Sequence, residues 1–322
     1  MTAVGTGGST SPLGQVRSKI GDRAFHIVVL AAGYLLLALL VGIAVFLVVQ
    51  AVPALHQDHA NFLTSFAWSP DDSPARFGVG VLAYGTVVSS LIALVIAVPV
   101  ALGVALFIAF YAPRRLAAPL GYLVDLLAAV PSVVYGLWGL FFLVDYSRDL
   151  QAWIARYFGW THVLDTSTSL GKSFFVAGVV LAVMILPIVA AISREIFLQV
   201  PQTQREAALA LGATRWEMIR WSALPYARSG IASAIVLGFG RALGETIAVA
   251  LVLSSNYQLV TRLFTPGGNT IAANIANQFG DAGKVGVGAL IASGLVLFVI
   301  TLVVNLVART IAHQSTPAGS VV

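Results

Sequence analysis

Apolar runs separated by short polar stretches set the plan of this chain. Ala24 to Gln57 contains no Asp, Glu, Lys or Arg, and Phe77 to Pro113 is equally free of them. Further runs lie within Leu116–Val144, Ser173–Ser193, Ile231–Leu251 and Val285–Ala308. A bilayer crossing takes about 20 mostly apolar residues. The pattern therefore predicts an all-α chain with six transmembrane helices. Pro131-Ser132 should break the third span and free backbone groups beside it. A polar loop is expected from the end of that span to Lys172, with Trp153 and Trp160 as interface anchors. The predicted organisation is a polar tail over 1–23, a first transmembrane helix over 24–56, a core of five helices over 77–310, and a second tail over 311–322.

One polar stretch has its own helical logic. In PQTQREAALALGATRWEMIRWSALPYARSG, Pro201 suits a helix start and Glu206 to Leu211 are strong helix formers. Gly212 stops that helix, because glycine accepts a left-handed conformation. Thr214-Arg215-Trp216-Glu217 reads as a capping box for a second helix, which Pro225 is expected to end.

Composition confirms a membrane protein: 58% of residues are hydrophobic and 10% charged, with a mean hydropathy of +0.91. With no cysteine there is no disulfide framework and no thiolate metal site. The net charge of +5 speaks to orientation and not to nucleic acid. The Gly/Ser/Thr-rich leader with Arg17, Lys19 and Arg23 is long and lacks a convincing cleavage site, so a retained span is expected over a signal peptide. With the amino terminus inside, inner segments hold eleven Lys and Arg, among them Arg114, Arg115, Arg194 and Arg205, and outer segments hold six. Both termini and the 201–226 loop then face the cytoplasm.

The spacing Glu206-Ala207-Ala208, Gly212, Leu224-Pro225 resembles the EAA loop of ABC-importer permeases. The family usually has isoleucine where this chain has Ser222; Ile219, one turn earlier, offers an apolar substitute. Gly240-Arg241-Ala242-Leu243-Gly244-Glu245-Thr246, Leu127–Gly139 and Asn256-Tyr257-Gln258-Leu259 resemble the PstC-type permease of the phosphate importer. The resemblance runs from about Leu82 to Val307. It implies a type I (MetI-like) permease fold in a bacterial cytoplasmic membrane. It implies a second related permease, two ATPase subunits that carry ATP and magnesium, and an extracytoplasmic phosphate-binding protein. No cofactor is expected in this chain, which would hydrolyse nothing itself. Glu206, Ala207, Ala208, Gly212, Leu224 and Pro225 would seat the ATPase.

Arg241 and Glu245 are four apart, so an unbroken helix would put them on one face. Charges at bilayer depth are costly and face protein or a watery cavity. A guanidinium offers paired donors to a tetrahedral oxyanion, and the resemblance assigns this pair to the solute path. An intrahelical ion pair that only fixes packing is the competing reading. Gly240 and Gly244 form a small-xxx-small pair that would let another helix approach. Asp125 is expected to pair with an inner arginine. Gly171-Lys172-Ser173 lacks the strand and the upstream glycine (Thr166 stands there) of a phosphate-binding loop. His56 and His59 make a poor metal site, and no Ser/His/Asp set converges, with His162 and His313 in loops or at ends.

The function expected is phosphate import driven by a separate ATPase. Physics alone specifies a tetrahedral anion, so sulfate or molybdate remains open. A secondary transporter is the alternative of another class, against which stand the EAA-like loop and the absence of an inverted repeat.

Overall fold

The structure, a computed structural model, describes residues 19–161, 163–164 and 171–314. The expectations placed on Arg17, His162, Thr166, the side chain of His313 and the ends of both tails lie outside the described residues. The chain forms two compact units, Met1–Phe46 and Leu47–Val322. In the first, the described residues belong to helix α1 (Lys19–Leu55). From Phe25 to Phe46 its large apolar side chains are exposed in nearly all positions. A helix that is apolar all round suits lipid.

The second unit is built on α2 (Gly80–Leu106) and α6 (Phe174–Leu198). Ala93, Ala97, Ala101 and Ala105 are spaced four apart and fully buried, so α2 presents a smooth stripe. Small side chains let helix axes approach closely, and on α6 a Cβ at Gly178 would collide with Ile92 of α2. Near the start of α6, Phe174 fills the gap between Gly85 and Gly268. Gly268 has a φ of +88°, which glycine adopts without strain. At Gly85 a Cβ would meet the Asn269 carbonyl and the Phe174 ring. Gly85→Val should therefore cost about 1–3 kcal/mol by overpacking, read as a lower thermal midpoint of the detergent-solubilised protein.

A π turn (Phe107–Tyr111) leads from α2 to α3 (Arg114–Ala128). The chain then breaks where predicted. Pro131 is extended and caps α4 (Ser132–Trp138), because proline disfavours the helical conformation of the residue before it. The segments Arg114–Ala128 and Ser132–Thr161 are bent by 86°.

One expectation needs correction. The predicted polar loop after the third span is instead a further helix, α5 (Val144–Phe158), reached through a π turn at Gly139–Leu143. Ser147 and Gln151 are buried on one side of it, while Tyr146, Leu150, Trp153 and Tyr157 are exposed on another. Those spacings are helical without being apolar enough to read as a span. The predicted spans differ in continuity. Among the described residues, four helices are long and apolar enough to cross a membrane: Gly21–Leu55, Gly80–Tyr111, Phe174–Leu198 and Lys284–Ala308. The bent pair makes a fifth. The remaining expected span is split into α9 (Leu224–Leu243) and α10 (Ile247–Val252).

At the end of the bundle where α6 starts, two irregular segments lock together. Strands β1 (Trp68–Ser69) and β2 (Arg76–Phe77) pair antiparallel. Between them, the Asp71 carboxylate accepts hydrogen bonds from the Gly283 and Gly286 amides at 2.8 and 2.9 Å. It thereby caps the start of α12 (Lys284–Gln314), where an anion complements the helix dipole. Trp68 stacks on Tyr257 with ring centroids 6.0 Å apart. The Tyr257 hydroxyl donates to Asn274 at 2.8 Å, on α11 (Ile271–Gln278).

Candidate functional site

The polar hairpin begins directly after α6. Pro201 caps α7 (Gln202–Ala210). Gly212, at φ +87°, turns the chain as predicted; a side chain there would strain the backbone. The capping box is complete on α8 (Arg215–Met218). The Thr214 amide donates to Glu217 Oε2 at 2.8 Å, and the Glu217 amide donates back to the threonine hydroxyl at 3.3 Å. The Thr214 amide, then its hydroxyl, hold the Glu217 carboxyl below the ordinary carboxylate range. The cap is thus intact at neutral pH and weakens only as pH falls through that lowered value.

Apolar contacts seat the hairpin on the bundle. Ile219, fully buried, packs with Val200, Met218 and Ala223 against Ala208 and Leu224, which is the contact expected of it in place of Ser222. The Ser222 hydroxyl itself donates to the Gln204 carbonyl at 3.4 Å. The outer face is the reverse: Glu206 and Ala207 are exposed, and Leu209, Trp216 and Trp221 are large exposed hydrophobics. Leu211 is 91% exposed.

Pro225 does not end the second helix. The chain passes through a π turn (Ile219–Ala223) straight into α9, with Pro225 in its first turn. In the π turn the Leu224 amide donates to the Ile219 carbonyl, five residues back. The widened turn accommodates a ring that would clash with a regular α-helical turn.

α9 ends at Leu243, and Gly244 to Thr246 separate it from α10. Arg241 and Glu245 therefore do not share one helix face, which corrects the expectation from their spacing. Arg241 lies in the last turn of α9 and is exposed. Among the described residues no hydrogen bond or ion pair engages its guanidinium, and the salt bridges found lie elsewhere. Glu245 Oε1 instead accepts from the Ala248 amide at 3.3 Å. Each charge complements the dipole of its own half-helix. The intrahelical ion pair considered from sequence is absent.

On α9 the glycines that pack against α6 are Gly230 and Gly238, where a Cβ would lie 2.8 Å from Ile196 and 2.7 Å from Val189. A Cβ at Gly240 would meet nothing within 4 Å, and one at Gly244 only the Gly240 carbonyl. The small surface those two make is open in this chain.

The two broken helices lie side by side. A Cβ at Gly136 of α4 would press on Ala248 and Leu251 of α10, and one at Gly139 on Val252. The order of these contacts makes α4 and α10 parallel. Tyr135, on α4, donates its hydroxyl across the break to the Leu127 carbonyl at 2.8 Å. Asp125 pairs with Arg194 at 3.4 Å, as expected of an inner arginine, and Arg194 also holds Glu195 at 2.6 Å. Tyr135 and Arg194 were not singled out from sequence. A tyrosine four residues after a span-breaking proline, and an arginine closing an apolar run, were the available signals.

A family model described as "binding-protein-dependent transport system inner membrane component" matches residues 101–315. The phosphate transport system permease protein PstC 2 of Mycobacterium tuberculosis is 48% identical over 300 residues, covering 92% of this chain and 93% of its own. The phosphate transport system permease protein PstC of Mycobacterium leprae is 45% identical over 273 residues, 83% of this chain and 86% of its own. Among solved structures, an inward-facing form of the MetNI methionine ABC transporter superposes with a TM-score of 0.52 at 20% identity, over 74% of this chain and 94% of that one. That likeness shows the MetI-like permease fold. The chain belongs to the binding-protein-dependent transport system inner membrane components, among the PstC-type permeases.

Proposed function

We propose that this permease moves inorganic phosphate, and that the observation carrying this reading is Arg241. A guanidinium with no partner, at a helix break beside a second helix break, is organised for a tetrahedral oxyanion. Glu245, held nearby as a cap, keeps the site from becoming a trap. The names of the PstC relatives support phosphate over sulfate or molybdate. A second permease faces Gly240 and Gly244, whose surface this chain leaves open. Two ATPase subunits, with their ATP and magnesium, dock on the hairpin, and Leu211 is its most protruding apolar contact. A binding protein delivers phosphate at the opposite end. The excess of basic residues on the hairpin side supports a cytoplasmic position for that side and both termini.

The test is uptake of radiolabelled phosphate into vesicles holding the full complex, with ATP inside and loaded binding protein outside. Uptake that requires ATP and resists excess sulfate is the expected result. Uptake of sulfate with none of phosphate would reassign the substrate. Uptake without any ATPase would return the chain to the secondary transporters.

A further inference from the structure

We propose that α5 is an interfacial helix, whose stripe of Tyr146, Leu150, Trp153 and Tyr157 rests in the lipid headgroup layer at the end of the bundle where α6 starts. The inference goes beyond the phosphate reading and does not depend on which solute is carried.

Depth comes first. α6 crosses the membrane and starts at Phe174, so its first turn marks one edge of the apolar thickness. Gly139 lies against Val180 of α6, and Val144 shares a buried cluster with Phe174 and Val176. α5 therefore begins at that edge. A short turn after α5, the chain returns to the same level. The Leu263 amide donates to the Val163 carbonyl at 2.9 Å, and the Leu263 carbonyl accepts from the Phe175 amide at 3.1 Å. α5 has 15 residues and a length of ~22 Å, and both of its ends are tied to the membrane edge.

The helix has three different sides. Val144, Ser147 and Gln151 share one and are buried; there Gln151 Nε2 donates to the Ser147 hydroxyl at 2.9 Å. Asp145, Arg148, Asp149 and Arg156 share a second, exposed side. It holds two charges of each sign, with Arg148 on Asp145 at 3.2 Å, so it offers no net charge to a partner. Tyr146, Leu150, Trp153 and Tyr157 make the third. At about 100° per residue they fall within about 60° of arc. All four are exposed, as is Trp160 in the turn that follows.

The chemistry of the third side selects its neighbour. Tyr and Trp join an apolar ring to a polar tip, and that pairing suits the headgroup level. The stripe also starts in the bent span itself. Phe142, one helical turn before Tyr146, is exposed and belongs to the π turn of that span. The same side thus runs from the acyl region into the headgroup layer. A helix at this depth with an aromatic side and a separate charged side has the form that binds a membrane surface. Because the backbone stays helical from Ser132 to Thr161, a lipid hold on α5 also sets the depth of α4, whose Gly136 touches α10.

The experiment exploits the absence of cysteine from the chain. Single spin labels are placed through Tyr146→Cys, Leu150→Cys, Trp153→Cys and Tyr157→Cys on the stripe, and through Arg148→Cys, Asp149→Cys and Arg156→Cys on the charged side. The complete complex is reconstituted in nanodiscs of phosphatidylethanolamine and phosphatidylglycerol. Collision with oxygen, which concentrates in lipid, is compared with collision with a water-soluble nickel chelate. The oxygen-to-nickel ratio should be higher on the stripe by about fivefold or more. Equal ratios on both sides would overturn the inference. So would a stripe open to the chelate until loaded binding protein is added and shielded afterwards, which would assign the face to that protein. A second measurement leaves the chain unaltered: a phospholipid with a photoactivatable headgroup should attach to the peptide spanning 144–160 and, within it, to the stripe. Attachment absent from that peptide, while the lipid marks the crossing helices, would also overturn the inference. Neither readout changes if the solute proves to be sulfate, so failure of the phosphate reading leaves this one standing.

Discussion

Arg241→Gln should lower phosphate uptake by about 100-fold or more in a complex that still assembles. No hydrogen bond or ion pair within the described part of the chain holds the Arg241 guanidinium, so its loss strands no partner and removes only a small helix-dipole contribution at the end of α9. What disappears is the anion's contact. A hydrogen bond to a charged group is worth about 1.5–3 kcal/mol, and a guanidinium can offer two in parallel. At about 1.4 kcal/mol per factor of ten, the pair accounts for two orders of magnitude or more. Radiolabelled uptake, normalised to complex recovered by size-exclusion chromatography, gives the answer. Uptake within threefold of wild type would remove Arg241 from the solute path. Glu245→Gln makes the contrast. Glutamine keeps an oxygen for the Ala248 amide, so α10 stays capped, while the counter-charge is gone. Phosphate should then be held more tightly and released more slowly, with KM and maximal rate falling together.

The second large effect is expected at the tip of the hairpin. Leu211→Asp should weaken association of the ATPase with the permease by at least about 10-fold and reduce coupled ATP hydrolysis to match. Leu211 is 91% exposed, so the change costs the isolated permease almost nothing. Burying a leucine in an interface contributes about 1.5–3 kcal/mol, and an unpaired carboxylate in its place adds a desolvation penalty. Titration of labelled ATPase onto permease in nanodiscs measures the affinity, and the thermal midpoint of the permease alone should not move. Unchanged affinity would mean that the ATPase sits elsewhere on the hairpin.

Local chemistry was the part of this molecule most open to reading from residues. Thr214 and Glu217 are three apart and need only each other, so the capping box and the Gly212 turn could be written down in advance. Pro131 broke its span for the same reason: the constraint acts on the adjacent residue. Pro225 shows where such reading stops. Whether a proline ends a helix or rides within one depends on whether the turn before it can widen. Here that turn is shaped by Ile219 and Ala223 buried against the bundle, a tertiary fact. Glu245 was misplaced by the same logic in reverse. Four-residue spacing implies a shared face only if the helix continues, and Gly244 and Thr246 stop it. The helix at 144–158 escaped because its exposed stripe mixes Tyr and Trp with charge, and its buried side holds Ser147 and Gln151. The function was legible through paired short motifs, and so was an arginine partner for Asp125; which arginine it would be, Arg194 on another helix, was not.

The π turn at Ile219–Ala223 has a mechanical meaning. Because the backbone stays helical through it, the path from Arg215 to Arg241 has no slack joint, and at about 1.5 Å per residue it is ~40 Å long. A displacement at Arg215 is carried along a continuous helical backbone toward Arg241. A loose loop at the same place would have absorbed the stroke before it reached the guanidinium.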